Sequence, residues 1–70
     1  MAEWTRVSSS NLHSVRYDPD KAELFVQFKN DKIYRYSGVS AAEHADLMGA
    51  DSAGSHFASN IRGRYDGVEV

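Results

Sequence analysis

Residues 23–36 alternate apolar and polar side chains about a single turn, which commits the chain to a fold containing an antiparallel hairpin with one apolar face. In Glu23-Leu24-Phe25-Val26-Gln27-Phe28-Lys29, Leu24, Val26 and Phe28 point to one side; Glu23, Phe25, Gln27 and Lys29 point to the other. Asn30-Asp31 tolerates positive φ and makes a tight connection. Lys32-Ile33-Tyr34-Arg35-Tyr36 is the returning strand, with Tyr34 and Tyr36 on one face and Ile33 and Arg35 on the other. Upstream, residues 12–17 alternate loosely and reach the hairpin through Asp18-Pro19-Asp20-Lys21, a type I turn signal. Trp4-Thr5-Arg6-Val7 is rich in strand formers and precedes the polar run Ser8-Ser9-Ser10-Asn11. A three- to four-stranded antiparallel meander is the expectation.

The period changes after Tyr36. Ser37-Gly38-Val39 breaks the strand, and Ser40-Ala41-Ala42-Glu43 reads as a capping box, with Glu43 reaching back to the Ser40 amide. The helix it opens runs from 41 to about 48 and ends at Gly49. After a loop at residues 51–54, a second helix from Ser55, its N-cap, to about Arg62 stacks Phe57 and Ile61 and stops at Gly63. The tail, 64–70, reads as irregular or as a short edge strand. The predicted class is therefore α+β: a small sheet followed by two short helices packed on one of its faces. One domain spans 1–70, with a core at about 7–65 and less order expected at 1–3 and 66–70.

With 70 residues, 41% hydrophobic and 26% charged, the chain has the balance of one folded domain and no room for a second. No apolar run approaches the roughly 20 residues of a membrane-spanning helix, and Met1-Ala2-Glu3-Trp4-Thr5-Arg6 lacks a secretory pattern. The absence of cysteine excludes disulfides and thiolate metal sites and fits a cytoplasmic location. A chain this short buries only about 60% of its unfolded surface, so self-association or a partner is one way to complete its core.

The formal charge is −2, eight basic against ten acidic residues, so any grip on nucleic acid has to come from local clustering. Residues 1–38 carry six basic and five acidic side chains, and residues 39–70 carry two and five. The candidates for a basic cluster are Lys29, Lys32, Arg35, Arg62 and Arg64. Tyr34, Tyr36 and Tyr65 stand beside them as rings for stacking on bases. The plainer account packs Tyr34 and Tyr36 on the helices beside Leu24, Val26 and Phe28, with their hydroxyls at the rim. It likewise places Arg62 and Arg64 at a helix C-terminus, where the macrodipole favours cations. Leu12, Phe25 and Ile33, interleaved with Arg16, Lys29 and Arg35, are left for the outer sheet face, an apolar and cationic mixture suited to a protein partner.

Catalysis has little support. His13, His44 and His56 are far apart and lack ligand spacing, so no metal or cofactor is expected. Ser55 and His56 are adjacent on a helix and point about 100° apart, which does not make a nucleophile–base pair. Gly63 and Gly67 match no phosphate loop. A non-enzymatic module is expected.

The order of elements resembles the KTSC family, small domains seen at the C-terminus of some lysyl-tRNA synthetases and as stand-alone proteins. The resemblance covers Val7 to about Tyr65. It rests on the serine opening, Val15-Arg16-Tyr17-Asp18, the strand at 24–28 and the Tyr-x-Tyr signature Tyr34-Arg35-Tyr36. It continues through Gly38-Val39, Ser52-Ala53-Gly54 leading to Phe57, and Ile61-Arg62 before Tyr65. His44 departs from an expected bulky aromatic, and Ser40 stands where proline is frequent. The family's function is unassigned, with RNA binding suggested by its attachment to a synthetase. The resemblance implies that Tyr34 and Tyr36 matter and that Arg62 lies near them, for packing or for binding. Two readings result: a nucleic-acid module, with tRNA-like RNA as partner, or a protein-interaction or homodimerisation module using Leu12, Phe25 and Ile33. Neither needs a membrane or a small-molecule cofactor.

Overall fold

A computed structural model describes residues 4–7 and 11–70, in the order β1 (Thr5–Arg6), β2 (Leu12–Asp18), β3 (Glu23–Phe28), β4 (Ile33–Ser37), α1 (Ala41–Gly49), α2 (Ala53–Asn60) and β5 (Gly67–Glu69). The strands form one sheet in the order β1-β2-β3-β4-β5, and every neighbouring pair is antiparallel. The architecture is α+β, a meander followed by two helices, as the alternating pattern predicts. It has five strands rather than three or four. The last lies within residues 66–70, where less order was expected, and the serine run at 8–10 lies outside the described residues.

Register explains the two faces. Val15 pairs with Val26, Val26 with Tyr34, and Leu24 with both Tyr17 and Tyr36, so these side chains share the inner face. Leu47 of α1, Ala53 and Phe57 of α2, and Ile61 and Val39 beside them complete the buried cluster. The outer face carries Arg16, Phe25 and Arg35, which stand opposite one another across β2, β3 and β4.

Leu12 is not on that outer face. It is fully buried, because the β2–β3 register shifts between Leu12 and Ser14 and leaves His13 as an extra residue. A bulge changes the parity of a strand, so Leu12 and Val15 both point inward although three positions separate them. Strict alternation counted back from Val15 places Leu12 outside; the bulge reverses it.

The helices are held by caps and by one corner. Ser40 Oγ accepts from the Glu43 amide at 3.1 Å, as the capping motif predicts, but the reciprocal bond is not made: Glu43 Oε1 is buried without a partner among the described residues. α2 starts earlier than expected, its N-cap three positions upstream. Ser52, not Ser55, is its N-cap, and its Oγ accepts from the Ser55 amide at 3.3 Å. At the β4–α1 corner Gly38 takes φ +79°, Val39 donates its amide to Ala22 O at 2.9 Å, and the Tyr17 hydroxyl donates to Val39 O at 2.6 Å. Tyr17 also stacks on His44, with ring centroids 4.6 Å apart, so the imidazole takes the place of an aromatic on α1. Burial pushes that imidazole below its ordinary pKa.

β5 docks because Gly67 has no side chain. A Cβ at this position would sit 2.6 Å from Tyr36 Cε2 and 2.8 Å from Cζ. The Tyr36 ring has nowhere to go, since it is 5% exposed and packs edge-on against Phe57. Gly67→Ala is therefore expected to lower stability by about 1–3 kcal/mol, the usual range for overpacking. In a domain of this size each kcal/mol corresponds to roughly 4–8 °C in Tm. A thermal melt within a degree of the parent contradicts the close approach.

Candidate functional site

Three separate stretches of chain converge on one cavity of about 450 Å³. The inner face contributes Phe28 from β3 and Tyr34 and Tyr36 from β4; the hairpin loop contributes Asn30 and Lys32. Asn11, just before β2, and Arg62, just after α2, close the remaining sides.

Local chemistry positions each contributor. Asp31 takes φ +71°, its amide donates to Phe28 O at 2.9 Å, and the Phe28 amide donates to Lys32 O at 2.9 Å. This is a three-residue hairpin loop closed by a left-handed residue. Asn30 Oδ1 accepts from the Lys32 amide at 3.1 Å, which fixes the lysine backbone at the rim. The Lys29 amide donates to Asn11 O at 3.0 Å and ties the loop to the segment before β2. At the other wall, the Ile61 and Arg62 amides both donate to Phe57 O, at 3.0 and 2.9 Å. That closure seats Arg62 directly after the buried Ile61, at the electronegative end of α2.

The aromatic wall is continuous with the core. Phe28 lies 5.6 Å from Tyr34 between centroids and 5.7 Å from Phe57, and Tyr36 lies 5.3 Å from Phe57. The two contacts to Phe57 are edge-on, a favourable quadrupole arrangement. Tyr34 and Tyr36 thus pack against the core and also face the cavity, so the two accounts of the Tyr-x-Tyr pair describe different sides of the same rings.

Charge in the cavity has one sign. Lys32 and Arg62 line it, and no carboxylate does among the described residues. Burial raises the Tyr36 pKa, Arg62 opposes that rise, and Tyr34 adds to it. The phenol therefore stays protonated at neutral pH and keeps a hydrogen to donate.

Of the residues singled out in the sequence, Lys32, Tyr34, Tyr36 and Arg62 come together here. The other four do not. Lys29 and Arg64 are exposed and outside the lining; Tyr65 packs against the core; Arg35 lies on the opposite sheet face, 3.8 Å from Glu23. Strand parity alone separates Arg35 from its neighbours Tyr34 and Tyr36. Asn11, Phe28 and Asn30 were read only as turn or core residues. The hairpin pattern already sets Asn30 near Phe28, whereas Asn11 arrives only through the pairing of Leu12 with Phe28.

On the outer face Phe25 is half-buried beneath Arg16, whose guanidinium carbon stands 4.2 Å from the Phe25 centroid and 5.7 Å from that of Trp4. Ile33 is also half-buried. His13, His44 and His56 remain on β2, α1 and α2.

A family model for the KTSC domain matches residues 8–65. The chain belongs to the KTSC family. Its fold matches the crystal structure of a KTSC domain protein from Yersinia pestis with a TM-score of 0.94 and 34% identity, over 100% of this chain and 99% of that one. An uncharacterized protein of Stutzerimonas stutzeri (strain A1501) is 41% identical over 51 residues, 73% of this chain and 72% of the relative. Within this KTSC domain, Tyr34 and Tyr36 form one wall of the cavity and Arg62 stands at its edge, the proximity that the resemblance implies.

Proposed function

We propose that this KTSC domain is a non-catalytic module that binds RNA, or nucleic acid more broadly, through the cavity between the hairpin loop and the end of α2. The observation that supports this reading is the convergence of Lys32 and Arg62 with the rings of Phe28, Tyr34 and Tyr36, unopposed by a carboxylate among the described residues. Cations take phosphates, and the half-buried rings of Phe28 and Tyr34 leave open sides for an unpaired base. The overall charge of −2 does not oppose it, since the described lining residues supply only positive charge at that point. No helix among the described residues is long and apolar enough to cross a membrane.

An amide-resolved NMR titration with a mixed tRNA pool tests this reading. Shifts are expected at Lys32, Tyr34, Tyr36 and Arg62 and should weaken as salt rises. Two phosphate contacts on a single strand correspond to a log–log salt slope of roughly −1.4. A hydrogen bond to a charged group contributes about 1.5–3 kcal/mol, so Arg62→Ala should weaken binding about tenfold or more. A spectrum unmoved at low salt sinks the reading.

A second reading has its own observation. Trp4 and Val68, 42% and 51% exposed, both lie on the outer face: Arg16 sits over Trp4, and Val68 pairs with Arg35. Together with Phe25 and Ile33 they supply apolar surface for a second copy of the chain. Concentration-dependent line broadening that persists at high salt, in the same sample, marks that outcome.

A further inference from the structure

We infer that the cavity holds one terminal nucleotide through a phosphate monoester, rather than tracking along a strand; this rests on the nucleic-acid reading. Size is the first argument. About 450 Å³ matches the space that encloses a single small ligand. Binding along a strand instead needs a basic groove with successive stacking rings. That groove is missing among the described residues, because Arg35 faces the opposite side of the sheet and neither Arg64 nor Tyr65 reaches the lining.

Charge is the second argument. An internal phosphodiester carries one negative charge. A terminal monoester carries about −1.5 to −2 at pH 7, with a second pKa of about 6. Two cations without a carboxylate among the described residues suit the dianion, and a diester leaves one of them without an anionic partner. Asn30 and the neutral phenol of Tyr36 add polar groups to the lining, and Phe28 and Tyr34 offer apolar surface to a base or sugar.

The ligand chemistry is that of a nucleoside monophosphate, which exists free and at an RNA end. Calorimetric titrations with AMP, adenosine, inorganic phosphate and oligoadenylate trimers read it. The trimers carry a phosphate at the 5′ end, at the 3′ end or at neither.

A phosphorylated trimer is expected to bind at least tenfold more tightly than the unphosphorylated one. The preference should shrink as pH falls below about 6, where the monoester loses its second charge. Lys32→Gln and Arg62→Gln, both at exposed positions, should each reduce it while leaving the fold intact. AMP binding more tightly than either phosphorylated trimer identifies the free nucleotide as the source; a phosphorylated trimer binding as tightly as AMP or more tightly identifies the RNA end. Either supports the inference. Equal affinity for phosphorylated and unphosphorylated trimers overturns it and leaves the nucleic-acid reading standing. Inorganic phosphate binding as tightly as AMP overturns it too, since the rings then contribute nothing. No binding by any probe or by the tRNA pool removes both.

Discussion

Phe57→Ala is expected to leave the chain largely unfolded at ambient temperature. Phe57 is 1% exposed, the largest of the fully buried side chains, and it meets Phe28 and Tyr36 edge-on. Removing a buried phenyl ring costs about 3–5 kcal/mol through lost transfer energy and the cavity left behind. A disulfide-free core of this size rarely supplies more than about 3–5 kcal/mol in total. The cost and the total stability are therefore comparable, and far-ultraviolet circular dichroism should show the loss directly. A melting curve within a few degrees of the parent contradicts the assignment of Phe57 to the centre of the core. The milder Phe57→Leu keeps most of the burial and removes the ring that Phe28 and Tyr36 lean on. It should fold and bind nucleic acid less well, linking core packing to the site.

Two substitutions to aspartate should behave in opposite ways, although both positions were assigned to one face. Leu12→Asp places a carboxylate where the native side chain is fully buried. It loses the leucine's burial, about 2–5 kcal/mol, and also carries the penalty of several kcal/mol for an unpaired buried charge. No stable folded population should remain at neutral pH. Phe25→Asp lies on the outer face between Arg16 and Arg35, its direct cross-strand neighbours, which give a carboxylate two cations to meet. Its losses are the Arg16–Phe25 contact, about 0.5–2 kcal/mol, and the burial of a ring that is only half-buried, so the fold should persist. Urea denaturation of the two variants compares them directly. A folded Leu12→Asp beside an unfolded Phe25→Asp means that the bulge in β2 is wrong and that strict alternation holds.

The same pair shows where legibility ended. The hairpin of β3 and β4 was readable because its signals are local: alternation at 24–28, a turn pair that accepts positive φ, and the return through Tyr34 and Tyr36. Asp31 takes that positive φ. The first helix was readable from Ser40 and Glu43 for the same reason, since a cap bonds within three residues. The second was placed late: Ser52 and Ser55 are both competent caps, and only the burial of Ala53 and Phe57 against the sheet selects between them. The bulge at His13 carries no residue signature, so Leu12 went to the wrong side. β5 depends on a glycine beneath a ring thirty-one positions earlier, Gly67 under Tyr36, a relation that no local window contains.

Sequence by itself determined the α+β class, the inner face of Leu24, Val26, Phe28, Tyr34 and Tyr36, and the resemblance to the KTSC family. Those follow from side-chain periodicity, short-range caps and turns, and the order of motifs. Tertiary structure alone decided which cations share a cavity with the tyrosines. Lys32 and Arg62 are thirty positions apart and meet only because α2 packs its Phe57 between Phe28 and Tyr36, which carries its C-terminal end to the hairpin loop. Arg35, flanked by the two tyrosines in sequence, faces away from both, because successive residues of a strand project to opposite sides. Adjacency in the chain and adjacency in space are set by different forces: backbone geometry governs the first, and burial of apolar surface governs the second.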